Sequence, residues 1–150
     1  MISNPEYGWC DFQLGSFEGH PSYLTDVPVD LLNAFIDYHL KGCGTAWFDE
    51  EGTEFTMVMN PNSLFLIEEK ETSILHDFSN VKGIAALEKE LIEDIEKDVD
   101  AWATNFSILP EETPIIKKEI CQKLEELKDL RNRYIKNNYK IEEIQQWEKD

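Results

Sequence analysis

The sequence offers no closely spaced pair of cysteines: Cys10, Cys43 and Cys121 are its only three, and they lie far apart. An odd, scattered set of thiols argues against a disulfide framework and for a reducing compartment. Phosphate-cradling motifs are missing as well. Neither GxxxxGKS/T nor GxGxxG occurs, and the seven glycines stand singly, so nucleotide-dependent chemistry has no support. No stretch approaches the roughly 18 apolar residues that a membrane helix requires. The opening MISNPEYGWCDF has neither a basic leader nor an apolar one. The expected location is cytoplasmic, without a membrane partner.

Positive charge is the other scarcity. Against 31 acidic residues stand 14 basic ones, for a net charge of −17. Phosphate contacts need clustered Lys and Arg, so nucleic acid is not an expected partner. A basic protein or a cation is. The excess exceeds the charge of roughly 2 to 8 that suffices to keep a small domain soluble, and like charges on one compact surface weaken the fold. With 41% hydrophobic and 11% aromatic residues in 150, the chain can still build one core. The acidity therefore belongs to a folded surface of a single domain.

The charge is unevenly placed. Residues 1 to 110 hold 21 acids and 5 bases, net −16, whereas residues 111 to 150 hold 10 acids and 9 bases, net −1. A change of composition at 107–114, around ILPEETP, marks a sub-boundary before this charge-mixed tail.

Hydrophobic spacing gives the elements. WCDFQL at 9–14 alternates, with Cys10, Phe12 and Leu14 on one face, and predicts a strand; a second extended piece is expected at 20–25, after a turn at Gly19. Asp26 and Pro28 start a helix that Gly42 ends, with Leu32, Phe35, Ile36, His39 and Leu40 on its apolar face. Residues 44–69 read as a three-stranded meander with turns at DEEG and NPNS, Gly52 taking the left-handed position of the first turn. From Ile84 the stripe Leu87, Leu91, Ile95, Val99, Trp102, Phe106 predicts one long helix. A second starts at Thr113 and Pro114 with Ile116, Ile120, Leu124, Leu127 and Tyr134, and either packs antiparallel on the first or extends away. The expected fold is α+β, in the order β-β-α-β-β-β-α-α, with one antiparallel sheet of about five strands.

Candidate chemistry is thin. A zinc site from Cys10, His20, His39 and Cys43 lacks the paired spacing of structural zinc, and His39 on the helical stripe reads as a core or boundary histidine. Cys10 with His20 and Asp26 could form a nucleophilic set, yet the inward face of a strand raises a thiol pKa. Asp49, Glu50, Glu51 and Glu54 crowd a hairpin tip without the spacing of a calcium loop. Glu68, Glu69 and Glu71 extend that negative field, and the run from Glu88 to Asp100 adds an acidic helical face. Carboxylates fixed along rigid elements can steer a cationic protein. Tyr134, Tyr139, Ile141, Ile144 and Trp147 in the tail suit either packing or a partner contact.

The segments WCDF (9–12), SYLTD (22–26), DLL (30–32) and FDEEGTEF (48–55) resemble a family of small acidic bacterial proteins of unassigned function, over residues 8 to 70. That resemblance implies no catalytic residues. In overall type the chain also resembles immunity proteins, which neutralise bacterial toxins, many of them basic nucleases. The expected function is thus a non-enzymatic acidic binding protein that occludes the cleft of a basic toxin. Its contacts would come from Asp49, Glu50, Glu51, Glu54, Glu68, Glu69 and Glu71, and no cofactor or metal is expected. The alternatives are a small metal-dependent hydrolase using His20 or Cys10, and a scaffold acting through its C-terminal helices.

Overall fold

Tyr7 and Gly8 both take positive φ, 55° and 78°, the backbone of a tight hairpin turn. They join β1 (Ile2–Glu6) to β2 (Trp9–Leu14), and a second tight turn leads to β3 (Phe17–Gly19). The computed structural model describes residues 1–80 and 83–149, with side chains through residue 134. After β3 come α1 (Val27–Lys41), β4 (Gly44–Asp49), β5 (Glu54–Asn60), β6 (Ser63–Glu69), β7 (Ser73–Asp77), α2 (Ile84–Glu96), α3 (Val99–Asn105) and α4 (Thr113–Lys149).

The fold is α+β, and the strands are antiparallel. In place of one sheet of about five strands there are two, β1-β2-β3 and β4-β5-β6-β7. The expected strand at 20–25 is a loop joined to β2 by a Trp9–Ser22 bridge, with the Cys10 N–H donating to Pro21 O at 3.1 Å. Gly19 ends β3 instead of making a turn. Its reason is close approach: a Cβ there would fall 2.7 Å from Cε1 of Phe55. Phe12 and Phe17 of the small sheet rest on Phe55 of the large one, ring centroids 4.9 and 5.1 Å apart, so the two sheets share a core at this end.

Helix α1 covers the remaining inner surface of the large sheet. Asp26 caps it, Pro28 sits in its first turn, and Gly42 stops it at φ 80° with its N–H donating to Tyr38 O. Its buried face is Val27, Leu31, Leu32, Ala34, Phe35 and Ile36. Leu40, expected on that face, is 60% exposed. It lies nine residues past Leu31, about two and a half turns at 3.6 residues per turn, and so on the opposite side.

The predicted helix from Ile84 to Phe106 is two helices. Asp98 interrupts it by accepting from Ala101 N–H as the N-cap of α3, while Leu87, Leu91, Ile95, Trp102 and Phe106 all remain buried. Helix α4 packs on α1 and α3 through the buried Ile120, Leu124 and Leu127. Its bases meet the acids of the preceding helices: Lys117 pairs with Asp100 at 2.7 Å, Lys128 with Glu96, and Arg131 with Glu88 at 3.1 Å. The partner numbers run in opposite directions, so α4 lies antiparallel to α2 and α3. The mixed charge of the tail is the complement of the acidic helices. Tyr139, Ile141, Ile144 and Trp147 lie outside the residues whose side chains are described.

Where α1 meets α4, like charges crowd. Burial, together with Asp30 and Glu119, pushes the Asp26 carboxyl up to about 7 against the opposing Val29 N–H bond; burial and Glu119 push Asp30 up to about 6. An acid whose folded pKa is raised binds its proton more tightly when folded, so stability falls as pH rises from about 4, the unfolded value, to 7. Asp26→Asn keeps a capping side chain and removes the charge. It is expected to raise stability at pH 8 by on the order of 2 kcal/mol and to flatten the pH profile between 4 and 7. Urea denaturation at several pH values checks this, and an unchanged slope would refute it.

Candidate functional site

Strand alternation divides the large sheet into two faces. Ala46, Phe48, Phe55, Met57, Met59, Leu64 and Leu66 point inward and are buried. The register places the remaining residues in rows on the outer face. Asp49 pairs with Glu54 and Glu54 with Glu69; the next row is Trp47, Thr56, Ile67 and Leu75, and the one beyond is Thr45, Val58, Phe65 and Asp77. Trp47 is 46% and Leu75 64% exposed. The outer face is therefore an apolar band bordered by three carboxylates at one end and by Asp77 at the other.

No Lys or Arg occurs in any of the four strands. Acids directly opposite one another across a sheet repel, and Asp49, Glu54 and Glu69 have no base within their row. The row is held by its neighbours instead. Trp47 Nε1 donates to Glu54 at 3.0 Å, and Ser73 Oγ to Glu69 at 2.6 Å. Asp49 accepts the Glu51 N–H at 2.6 Å, in a turn where Gly52 takes positive φ, 140°, as expected, and Glu51 does so too, at 58°.

The other sequence-selected acids divide in two. Glu50 reaches across to the small sheet, accepting the His20 N–H at 2.9 Å and the Thr53 hydroxyl at 3.0 Å. It also lies close enough to Lys70 to favour the charged ammonium, which brings the β4–β5 and β6–β7 turns to one end of the molecule. Glu71 is exposed in the second turn. Glu68 belongs to the inner face: opposite Phe55 and only 7% exposed, it binds Lys70 at 2.6 Å and His76 at 2.9 Å. Those two hydrogen bonds hold its carboxyl below its ordinary value. Glu68 is thus spent on joining β6 to β7, not displayed.

The acidic helical run is engaged too. Glu88 is buried, Asp94 accepts the Ile2 N–H at 3.1 Å, and Glu96 and Asp100 hold α4. The free anionic surface is narrower than the sequence suggests and centres on the sheet.

The thiol-based and metal-based sets are dispersed. Cys10 is 2% exposed, and burial followed by the nearby Asp11 pushes its thiol up to about 12, the reverse of what a nucleophile needs. His20 points to solvent and binds Asp11 at 2.9 Å, Asp26 caps α1, and His39 binds Glu88 at 2.6 Å. Among the described residues no three His, Cys, Asp or Glu side chains group to hold a metal, and no helix is long and apolar enough to cross a membrane.

Sequence reasoning missed Trp47, Ile67, Leu75 and Asp77 as members of the site. The alternation of β4 to β6 could have shown Trp47 and Ile67 pointing away from the core, but β7, whose Ile74 and Leu75 adjoin without alternating, gave no strand signal. No protein-family model, curated protein or solved structure matches this chain.

Proposed function

We propose that this is a non-enzymatic binding protein of the immunity type, whose outer sheet face seats on a basic, partly apolar surface around the cleft of a toxin. The observation that carries the reading is the cross-strand row Asp49–Glu54–Glu69 beside Trp47, Ile67 and Leu75. Carboxylates held opposite one another cost stability in the free protein, and Lys or Arg from a partner would relieve that cost. Trp is favoured as an interface anchor, and an apolar band edged by charge supplies both affinity and orientation. Glu50, Glu51 and Glu71 add long-range steering at the rim.

The test is the product of the gene immediately upstream, which on this reading carries a toxin domain. Co-expression is expected to protect cells from it, and the purified pair to associate at a rate that falls steeply with added salt. The triple variant Asp49→Asn/Glu54→Gln/Glu69→Gln is expected to slow association about tenfold or more at low salt while folding normally. A toxin bound equally well by the triple variant, or a neighbouring gene of metabolic function, would sink the reading.

A further inference from the structure

A cavity lies away from that sheet face. It has a volume of about 520 Å³ and sits between α1, α2 and α4, walled by Tyr38, Ile84, Pro61 and Tyr134 over a floor of His39, Glu88 and Arg131. Glu88 is 2% exposed, yet both its oxygens are taken, Oε2 by His39 Nε2 at 2.6 Å and Oε1 by Arg131 Nη1 at 3.1 Å. The same Nη1 donates to the Ala85 carbonyl at 2.6 Å. Nη1 thereby holds the guanidinium against α2 where it lines the cavity, and its Nε and Nη2 carry the further donors with which a planar guanidinium binds a carboxylate in bidentate fashion.

Two further donors, Tyr38 and Tyr134, line the cavity. Tyr38 and Tyr134 interact, and burial, with Tyr134 and Glu88 alongside, pushes the Tyr38 phenol up, keeping it protonated and a donor. The His39 ring meets Tyr38 and Tyr134 edge-on, with centroids 5.9 and 6.2 Å apart. These rings give the cavity aromatic walls. An open, mostly apolar cavity with a few convergent polar groups has the form of a small-molecule site.

We propose that this cavity binds a small planar carboxylate, its ring between the tyrosines and its carboxyl group on Arg131 and the tyrosine hydroxyls. Benzoate is the probe, titrated into the full-length chain by calorimetry and followed in parallel by the NMR signals of the cavity aromatics. Saturable binding in the millimolar range or tighter is expected. Benzyl alcohol, with the same ring and no charge, is expected to bind about tenfold more weakly, the worth of one charge-assisted contact. Arg131→Lys keeps the charge but loses the fork, and should weaken benzoate about tenfold with little effect on benzyl alcohol. Because Arg131 also bonds to α2, Tyr134→Phe serves as the second variant: its side chain is 55% exposed, and the loss of its hydroxyl should weaken benzoate severalfold in a folded protein. No saturable benzoate binding, equal affinity for benzyl alcohol, or benzoate affinity unchanged in Tyr134→Phe would overturn the assignment. None of these results bears on the sheet face.

Discussion

Replacing Glu88 by glutamine is expected to cost about 3–5 kcal/mol of stability, the loss typical when one partner of a buried ion pair is removed. In a chain of this size that lowers Tm by about 10 °C. Glu88 is 2% exposed and joins three helices, since His39 belongs to α1 and Arg131 to α4. Without the carboxylate, Arg131 loses its Glu88 counterion in a half-buried place, and the one acceptor oxygen of glutamine can serve His39 or Arg131 but not both. The cluster as a whole is a different matter. Exchanging His39, Glu88 and Arg131 together for leucine removes three desolvated polar groups at once and is expected to recover most of the loss. Urea denaturation of the single and triple variants decides the point. A Glu88→Gln variant as stable as the parent, or a triple variant worse than the single one, would show that the ions do not act as a unit.

This cluster also marks where sequence reading reaches its limit. Glu88 stands in EKELIEDIEKDVD, and nothing in that run separates the one buried carboxylate from its solvated neighbours; only the packing of α1 and α4 against α2 does. The stripes on α2, α3 and α4 were legible, because a helical face is a local, periodic property. The break at Asp98 was legible in principle, as an N-cap residue inside a continuous stripe. Of the first sheet, β2 was legible by its alternation, and β1 was not. Ser3, Asn4 and Pro5 in β1 carry no strand propensity, Asn4 takes φ 53° at an irregularity in the register, and pairing with β2 is what places them in the sheet. The acidic row followed the same logic: Asp49 and Glu54 were visible at one hairpin tip, whereas Glu69 joins them, and Glu68 leaves them, through the parity of the β5–β6 register. One residue of slip would exchange the two.

Gly44 is the position where alanine is expected to do the most harm for a single added methyl group, about 3 kcal/mol. Its φ is not in the left-handed region, so conformational freedom is not the reason for glycine. Space is: a Cβ would fall 1.9 Å from the Ala34 carbonyl oxygen and 2.8 Å from the carbonyl carbon. These are backbone atoms of α1, which cannot rotate away, so trimming Ala34 to glycine is not expected to rescue the variant. Gly42 provides the contrast. It has φ 80°, and a Cβ there would meet nothing within 4 Å, so alanine should cost about 1 kcal/mol, from backbone strain alone. To admit a methyl group at residue 44, α1 must move off β4, and β4 carries Trp47 and Asp49 at its far end. Gly44→Ala is therefore expected to weaken binding through the outer sheet face as well as stability, whereas Gly42→Ala should leave binding intact. Equal losses of stability for the two alanines, measured by urea denaturation, would show that the helix–strand contact is not as tight as the Ala34 geometry requires.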